Sequence, residues 1–429
     1  MRQGNRAGRA ATGFIFVTVL LDMMAIGIIA PVLPKLVAIF TGGNLANAAL
    51  YIGLFATVWA MMQFFCSPLL GMLSDRVGRR PVILLSNGVT AIDYVIMALA
   101  PNLWWLFLGR VLSGVATASI STASAYIADV TDPEKRAAAY GILGSAFGLG
   151  FILGPVIGGF AGNVDPRLPF WIAAAFSAVN ALYGLLVLPE SLPKNLRTPT
   201  IDWKRANPLG SLHLLQSHRE LYGLTWVTFV GDIAHECLPN IWVLYCIAQF
   251  AWDARAIGLT LMLVGLSGAL SSAFLVGPLV KRFGERRILL FSLVVAAVSY
   301  VMFGSQNGLV FLLAVPVSAL ALFGPTSQAL MTRRVGASEQ GELQGALGAV
   351  RGISMLVGPG LFTFVFALFA GQWKHLELLG APMYLAAALV AVAFAIAVRV
   401  TTRADDDVHD VPQPGPPNIG AAEEPALPG

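Results

Sequence analysis

The ten residues Gly71-Met-Leu-Ser-Asp-Arg-Val-Gly-Arg-Arg80 constrain this chain more than any others. They place Asp75, Arg76, Arg79 and Arg80, with Gly71 and Gly78, in a very short link between two long apolar runs. A link that charged has no place in hydrocarbon, so it must turn the chain at a membrane surface. The arrangement returns as Gly277-Pro-Leu-Val-Lys-Arg-Phe-Gly-Glu-Arg-Arg287, a copy 206 residues downstream (277 − 71). Apolar runs with a basic hairpin at the same place in each half form a tandem repeat, which implies a secondary transporter.

Hydrophobic residues make up 57% of the 429-residue chain and charged residues 12%. A soluble protein needs roughly 25% charge to cover its surface, so most of this surface must face lipid. Each span takes about 20 apolar residues, and such runs fill nearly everything from Gly13 to Val400. The expected spans are 13–38, 49–70, 81–100, 104–126, 138–161, 169–189, 220–247, 256–279, 287–305, 309–331, 343–370 and 380–400. The predicted fold is therefore an all-α membrane protein of twelve transmembrane helices in two six-helix pseudo-repeats. A terminal segment, 1–12, precedes the first half at 13–189, and the second half is 220–400. Residues 190–219, with Pro193, Pro199 and Pro208, read as a linker. The tail 401–429 has too little apolar content to pack and is expected to be disordered.

The net charge of +4 is not gathered into a patch for nucleic acid. Of the 27 Lys and Arg residues, 21 fall on one side of the expected spans and four (Lys35, Arg167, Arg255 and Lys374) on the other. Arg110 and Arg351 lie within spans. The positive-inside rule then puts both termini in the cytoplasm of a multi-pass plasma (inner) membrane protein. Arg2, Arg6 and Arg9 precede a run to Phe40 that is too long for a signal peptide, so an uncleaved first span is expected. Cys66, Cys237 and Cys246 lack metal-ligand spacing and read as core residues.

Several side chains are out of keeping with lipid. At about 1.5 Å per residue, Asp22 lies roughly 14 Å into its helix and Asp93 and Asp232 about 18 Å into theirs. Charges at that depth persist in a cavity or a pair. Asp22 contacts proton or substrate in a water-filled cavity, pairs with Arg110, or makes a polar packing contact, and Asp93 is open in the same way. Asp232, His235 and Glu236, at i, i+3 and i+4, share one helical face. Proton coupling through the imidazole, a structural hydrogen bond and divalent-cation binding all remain open for them. Gln63 either lines a cavity or joins helices. Span five carries Gly141, Gly150, Gly154-Pro155 and Gly158-Gly159, and span eleven carries Gly358-Pro359. Small residues at that spacing let backbones approach, and Pro155 removes a helical hydrogen bond. Tight packing and a hinge both remain open. The chain has no Gly-Lys pair and so no Walker A loop.

Over its whole membrane length the chain resembles the major facilitator superfamily. Gly71–Arg80 matches that family's signature between spans two and three. Arg110 with Gly114 looks like its fourth-span motif, and Gly150-Phe-Ile-Leu-Gly-Pro-Val-Ile-Gly-Gly159 looks like the antiporter motif of span five. More narrowly, Leu21-Asp22 followed by Gly27-Ile-Ile-Ala-Pro-Val-Leu-Pro34, Met62-Gln63, Asp93-Tyr94, Leu108–Gly114, Ala128-Asp129 and Phe147–Gly150 resemble the tetracycline-resistance branch of drug:proton antiporters. That branch carries an acid in the ninth span, where this chain has Ala296. Here Asp232, His235 and Glu236 stand in the seventh span and Arg351 in the eleventh. Pro189-Glu-Ser-Leu-Pro193 and Val350-Arg-Gly352 look more like a chromosomal branch that includes the animal hippocampus-abundant-transcript transporters.

The resemblance implies a proton-coupled exporter of an amphipathic small molecule, tetracycline first, with Arg110 in the proton pathway. It implies that Arg79 pairs with Asp129, and that Asp75 meets the N-terminus of span eleven as a gate whose release gives the outward-open state. Arg351 stands open between that latch and the cavity. No cofactor and no resident metal are expected. The proton gradient is the expected energy source, with a divalent cation carried alongside the substrate as an option. The expected partners are a small-molecule substrate and the lipid bilayer, with no nucleic acid, and the expected state is a monomer. An ion-coupled metabolite transporter on the same fold is the alternative, favoured by Ala296 and Arg351. A membrane-embedded enzyme is the remote one, since catalytic spacing is missing; His235-Glu236, for instance, is not followed by a second histidine.

Overall fold

The computed structural model describes residues 2–116, 119–132, 135–198, 215, 219–336 and 339–407. Among these residues every regular element is helical. Among the described residues, eleven runs are long and apolar enough to cross a membrane. In the first half these are Gly13–Phe40, Leu45–Val77, Arg79–Leu99, Leu103–Val130, Ala138–Val164 and Leu168–Leu186. In the second they are Ala254–Phe274, Glu285–Phe303, Gly308–Thr332, Gln340–Ala370 and Ala381–Thr401. The seventh span completes the twelve, but it is broken: Arg219–His235 and Cys237–Phe250 meet at Glu236. The expected continuous helix over 220–247 is thus corrected to two half-helices. Pro239 supplies the reason, because it offers no N–H to the His235 carbonyl and its ring crowds that carbonyl.

The ends differ from expectation as well. The first helix begins at Arg2, within the segment taken as a separate terminal piece. The last runs to Asp407, past the expected boundary, so the tail starts as helix. Most of the linker and residues 408–429 lie outside the described residues.

The duplicated sequence is a duplicated turn. Span two ends at Val77 and span three starts at Arg79, with Gly78 alone between them at φ = 109°. Only glycine adopts that conformation readily. Gly284 does the same between Phe283 and Glu285, at φ = 79°.

Glycines also set how the spans meet. A side chain at Gly154 would collide with the backbone of Met24 and Gly27, and one at Gly158 with that of Ile28, so both face span one. Gly159 points the other way, onto Ala254 and Gly258 of span eight. One helix therefore packs against a neighbour in its own half and another across the seam. It is continuous through Pro155, so packing rather than a break accounts for the motif here. A second seam joins spans two and eleven, with Gly53 against Thr363, Thr57 Oγ1 3.5 Å from the Leu356 carbonyl, and Phe64 against Gly352. Toward the Gly78 turn the picture changes. Gly71, Gly141, Gly144 and Gly148 in the first half, and Gly268, Gly277, Gly341 and Gly348 in the second, have nothing within 4 Å of a side-chain position. The halves close on the far face and part on the face that carries the turns.

Gly158→Ala should overpack spans one and five at a cost of about 1–3 kcal/mol. Gly144→Ala fills open space and should leave stability unchanged. Thermal unfolding of the two purified variants checks this. Equal midpoints would remove the close approach at Gly158 as a packing determinant.

Candidate functional site

Arg79 is the hub of the surface turn. Its Nη1 lies 2.5 Å from Asp75 Oδ1 and 2.6 Å from Ser74 Oγ, and its Nε 3.1 Å from Asp129 Oδ2. Its backbone N–H donates to Glu190 Oε1 at 2.8 Å, so the start of the linker caps span three. Glu190 also faces Arg197 at 3.6 Å, Ser191 Oγ donates to Asp129 at 3.0 Å, and the Thr198 N–H donates to the Asp75 carbonyl at 3.0 Å. Residues 190–198 thus strap across the turn. Arg80 donates to the Leu185 carbonyl, and Arg76 is exposed. In the neighbouring loop, Lys135 Nζ sits 2.7 Å from Asp132 and holds that carboxyl below its usual range.

The Arg79–Asp129 contact is therefore present, but the contact between Asp75 and span eleven is not. Asp75 is held by Arg79 and by the strap, on the face where the halves part. A latch on that face would keep that face shut. Releasing it would open that same face, the reverse of the expected outward-open outcome. The second half repeats the pair with its charges exchanged. Glu285 stands 206 residues after Arg79 and Arg333 stands 204 after Asp129 (285 − 79 and 333 − 129), and they meet at 2.9 Å.

Inside the first half, Asp22 Oδ1 accepts from Asn180 Nδ2 at 2.8 Å, and the same amide reaches the Thr18 carbonyl at 2.9 Å. Asn180, not Arg110, is its partner. Asp93 is fully buried with its carboxylate against Gly109, and neither oxygen has a hydrogen-bond partner among the described residues. Arg110 acts on it through space; its guanidinium lies 5.4 Å from the Trp59 ring and its buried Nε is unpartnered. Buried polar groups without a partner are rare in folded proteins and call for an explanation. Gly114 has the backbone of Trp59 and the side chain of Met62 where a Cβ would lie. That glycine draws span four onto span two and so sets Arg110 over Trp59. Gln63 is partly buried in span two.

The second half holds a cavity of about 380 Å³ lined by Asp232, His235, Ala296, Tyr300 and Arg351, with Phe303 and Phe323 in its walls. Glu236 is not among its lining residues. It occupies the helix break, accepts from Asn240 Nδ2 at 3.3 Å and packs on Gly358. The shared face expected for Asp232, His235 and Glu236 is thus lost at the break. Among the described residues, no group of three or more acids, histidines or cysteines is placed to hold a metal. On the far face, between the halves, a larger cavity of about 1010 Å³ is lined by Asn47, Gln249, Gln306, Gln372, Lys374 and Glu377 among others.

Three site residues escaped sequence reasoning: Asn180, Glu190 and Arg333. Asn180 had a signal, as a lone amide in an apolar span. Glu190 stands in Pro189–Pro193, at the start of the linker, where nothing local marks it as a cap for span three.

Comparison with known proteins bears on the whole frame. The profile of the Major Facilitator Superfamily matches residues 15–231 and again 224–423, one match per half. The chain is similar to the tetracycline resistance protein, class C, of Escherichia coli, at 36% identity over 86% of this chain and 93% of that protein. It is also similar to the hippocampus abundant transcript 1 protein of Homo sapiens, at 26% identity over 76% of this chain and 68% of that one. The crystal structure of the nucleoside transporter NupG superposes with a TM-score of 0.75 at 14% identity, covering 91% of this chain and 99% of that one, a likeness of fold. With its twelve spans, duplicated turn and paired profile matches, the chain belongs to the Major Facilitator Superfamily, in the branch of these tetracycline resistance proteins.

Proposed function

We propose that this protein is a proton-coupled exporter of an amphipathic small molecule, with tetracycline as its substrate. The observation that carries the reading is the 36% identity to the class C tetracycline resistance protein across 86% of this chain. The interior geometry supports it. Asp22 on Asn180 and the unpartnered Asp93 are carboxyls at membrane depth that a transferable proton requires. The distribution of Lys and Arg supports an inner-membrane setting with both termini in the cytoplasm. On this reading the protein is a monomeric carrier rather than an enzyme, driven by the proton gradient. A divalent cation crosses only as part of the substrate. A second reading, an ion-coupled metabolite transporter, is favoured by one observation: Ala296 and Arg351 face the same cavity.

Expression in a drug-sensitive host should raise the tetracycline concentration that stops growth and lower the drug accumulated. A protonophore should restore accumulation. Unchanged accumulation on expression would exclude tetracycline.

Asp22→Asn keeps an oxygen that accepts from Asn180 while removing the titratable charge. Efflux should be lost at an unchanged membrane level, and retained efflux would leave Asp22 as packing.

Asp129→Ala takes a charged hydrogen bond from the buried Arg79, a loss of about 1.5–3 kcal/mol. Arg333→Ala leaves the Glu285 carboxyl, with a side chain 8% exposed, without its arginine, but Glu285 stands in the first turn of span nine, where the helix N-terminus stabilises a carboxylate, so this loss should be the smaller. Thermal unfolding orders the two. A larger loss at Arg333 would refute the Arg79 hub as the firmer brace.

A further inference from the structure

Every residue that lines the 380 Å³ cavity lies between Gly231 and Val390, so the space is inside the second half rather than between the halves. Four groups able to carry charge face it: Asp232, His235, Tyr300 and Arg351. The Tyr300 hydroxyl is committed to the Ala234 carbonyl at 2.9 Å, and Glu236, outside the lining, is engaged by Asn240. Spans eight, ten and twelve contribute only uncharged lining such as Val264, Gly268, Phe323 and Val390. Asp232 and Arg351 are therefore the opposed charges of the cavity, with one imidazole beside them. Arg351 acts through space on Asp232, His235 and Glu236, with no hydrogen bond or ion pair to a described side chain. Opposite charges at membrane depth normally pair with one another. Here a space the size of a small-molecule pocket adjoins both, walled by Phe303, Phe323, Leu238 and Leu293.

We propose that this cavity is a recognition site for zwitterionic amphipaths: Asp232 receives the cargo's ammonium, Arg351 its anionic oxygen, and the aromatic walls its ring system. Arg351 is exposed and Asp232 half-buried in the empty cavity, so both lose water when a cargo fills it. A purely cationic cargo would cover Arg351 without matching it, and a purely anionic one would do the same to Asp232, which is how a site rejects a near relative. The arrangement also couples cargo to proton. The ammonium and a proton compete for the Asp232 carboxylate, so the Asp232 O–H bond breaks as the ammonium arrives. The proton passes to His235 or to water. This step rests on the exporter reading; the ligand class does not.

The test uses the purified full-length chain and the shift of its thermal unfolding midpoint by ligands, since a bound ligand stabilises in proportion to its affinity. The zwitterions are tetracycline and ciprofloxacin, the permanent cation is tetraphenylphosphonium, and the anion is a naphthalenesulfonate. The parent should be stabilised by a zwitterion and little by either ion. Arg351→Gln should weaken zwitterion binding about tenfold or more and gain response to the cation. Asp232→Asn should weaken zwitterion binding likewise and gain response to the anion. Should Arg351→Gln fail to fold, Arg351→Lys keeps the charge and should keep the zwitterion preference. A parent that prefers either single ion, or responds to no zwitterion, overturns the proposal. So do variants that lose all ligand classes equally. Stabilisation by ciprofloxacin but not by tetracycline would leave the site standing and remove tetracycline as the substrate. Tetracycline export with no response to either substitution would do the reverse.

Discussion

Hydrocarbon offers no water to backbone amides, so each span must satisfy its own hydrogen-bond ladder, and each interruption needs a local substitute. The seventh span shows the consequence. Pro239 ends the first half-helix at His235 and leaves that residue's carbonyl without its helical donor. Two side chains bond the carbonyls on either side of it: the Tyr300 hydroxyl reaches the Ala234 carbonyl at 2.9 Å, and Asn240 Nδ2 reaches that of Glu236 at 2.8 Å. Asn240 then also holds the Glu236 carboxyl, which is why that acid is not part of the cavity. Asp232 and His235, on the intact half-helix, remain facing it. A constraint on the backbone thus decides which titratable side chains are available to a ligand.

Lipid tails are as apolar as the helices they surround, so helices hold together by closeness of fit rather than by the hydrophobic effect. Span five illustrates how few positions this needs. Gly154 and Gly158 admit the backbone of span one, and Gly159, next in line, admits that of span eight. The same helix therefore belongs to its own half through one face and to the seam through another. The second seam runs from Gly53, toward the far side of the molecule, to Gly352, midway along span eleven. The open glycines nearer the turns mark surfaces the halves leave uncovered in this arrangement, and such surfaces are what a carrier must cover to present the opposite face.

The spans and the duplicated turn were legible because each rests on a local rule: span length on bilayer thickness, the turn on charge and glycine. The Arg79–Asp129 pair was legible through resemblance. What was missed depended on distant segments or on an assumption of regularity. Asn180 reveals its role only when span six lies against span one. Glu190 works through its contact with the first amide of span three, 111 residues back in the chain. The shared face of Asp232, His235 and Glu236 presumed an unbroken helix, although Pro239 was in plain view three residues beyond. Asp75 was expected on span eleven, but in this arrangement the faces that would meet are apart.

The exchanged pair shows what the duplication preserves. Arg79 and Asp129 in one half answer to Glu285 and Arg333 in the other, with each charge replaced by its opposite. Residue identity has gone while complementarity remains, because changing one member alone strands a charge whereas changing both restores the contact. The two copies are nonetheless unequal in strength. In the first, the arginine side chain is only 10% exposed and is further held by Asp75, Ser74 and the strap through Glu190. In the second, the arginine is 75% exposed while the Glu285 side chain is 8% exposed, so water screens the pair from the arginine side. Burial and further partners therefore brace the first turn more fully than this pair alone braces the second.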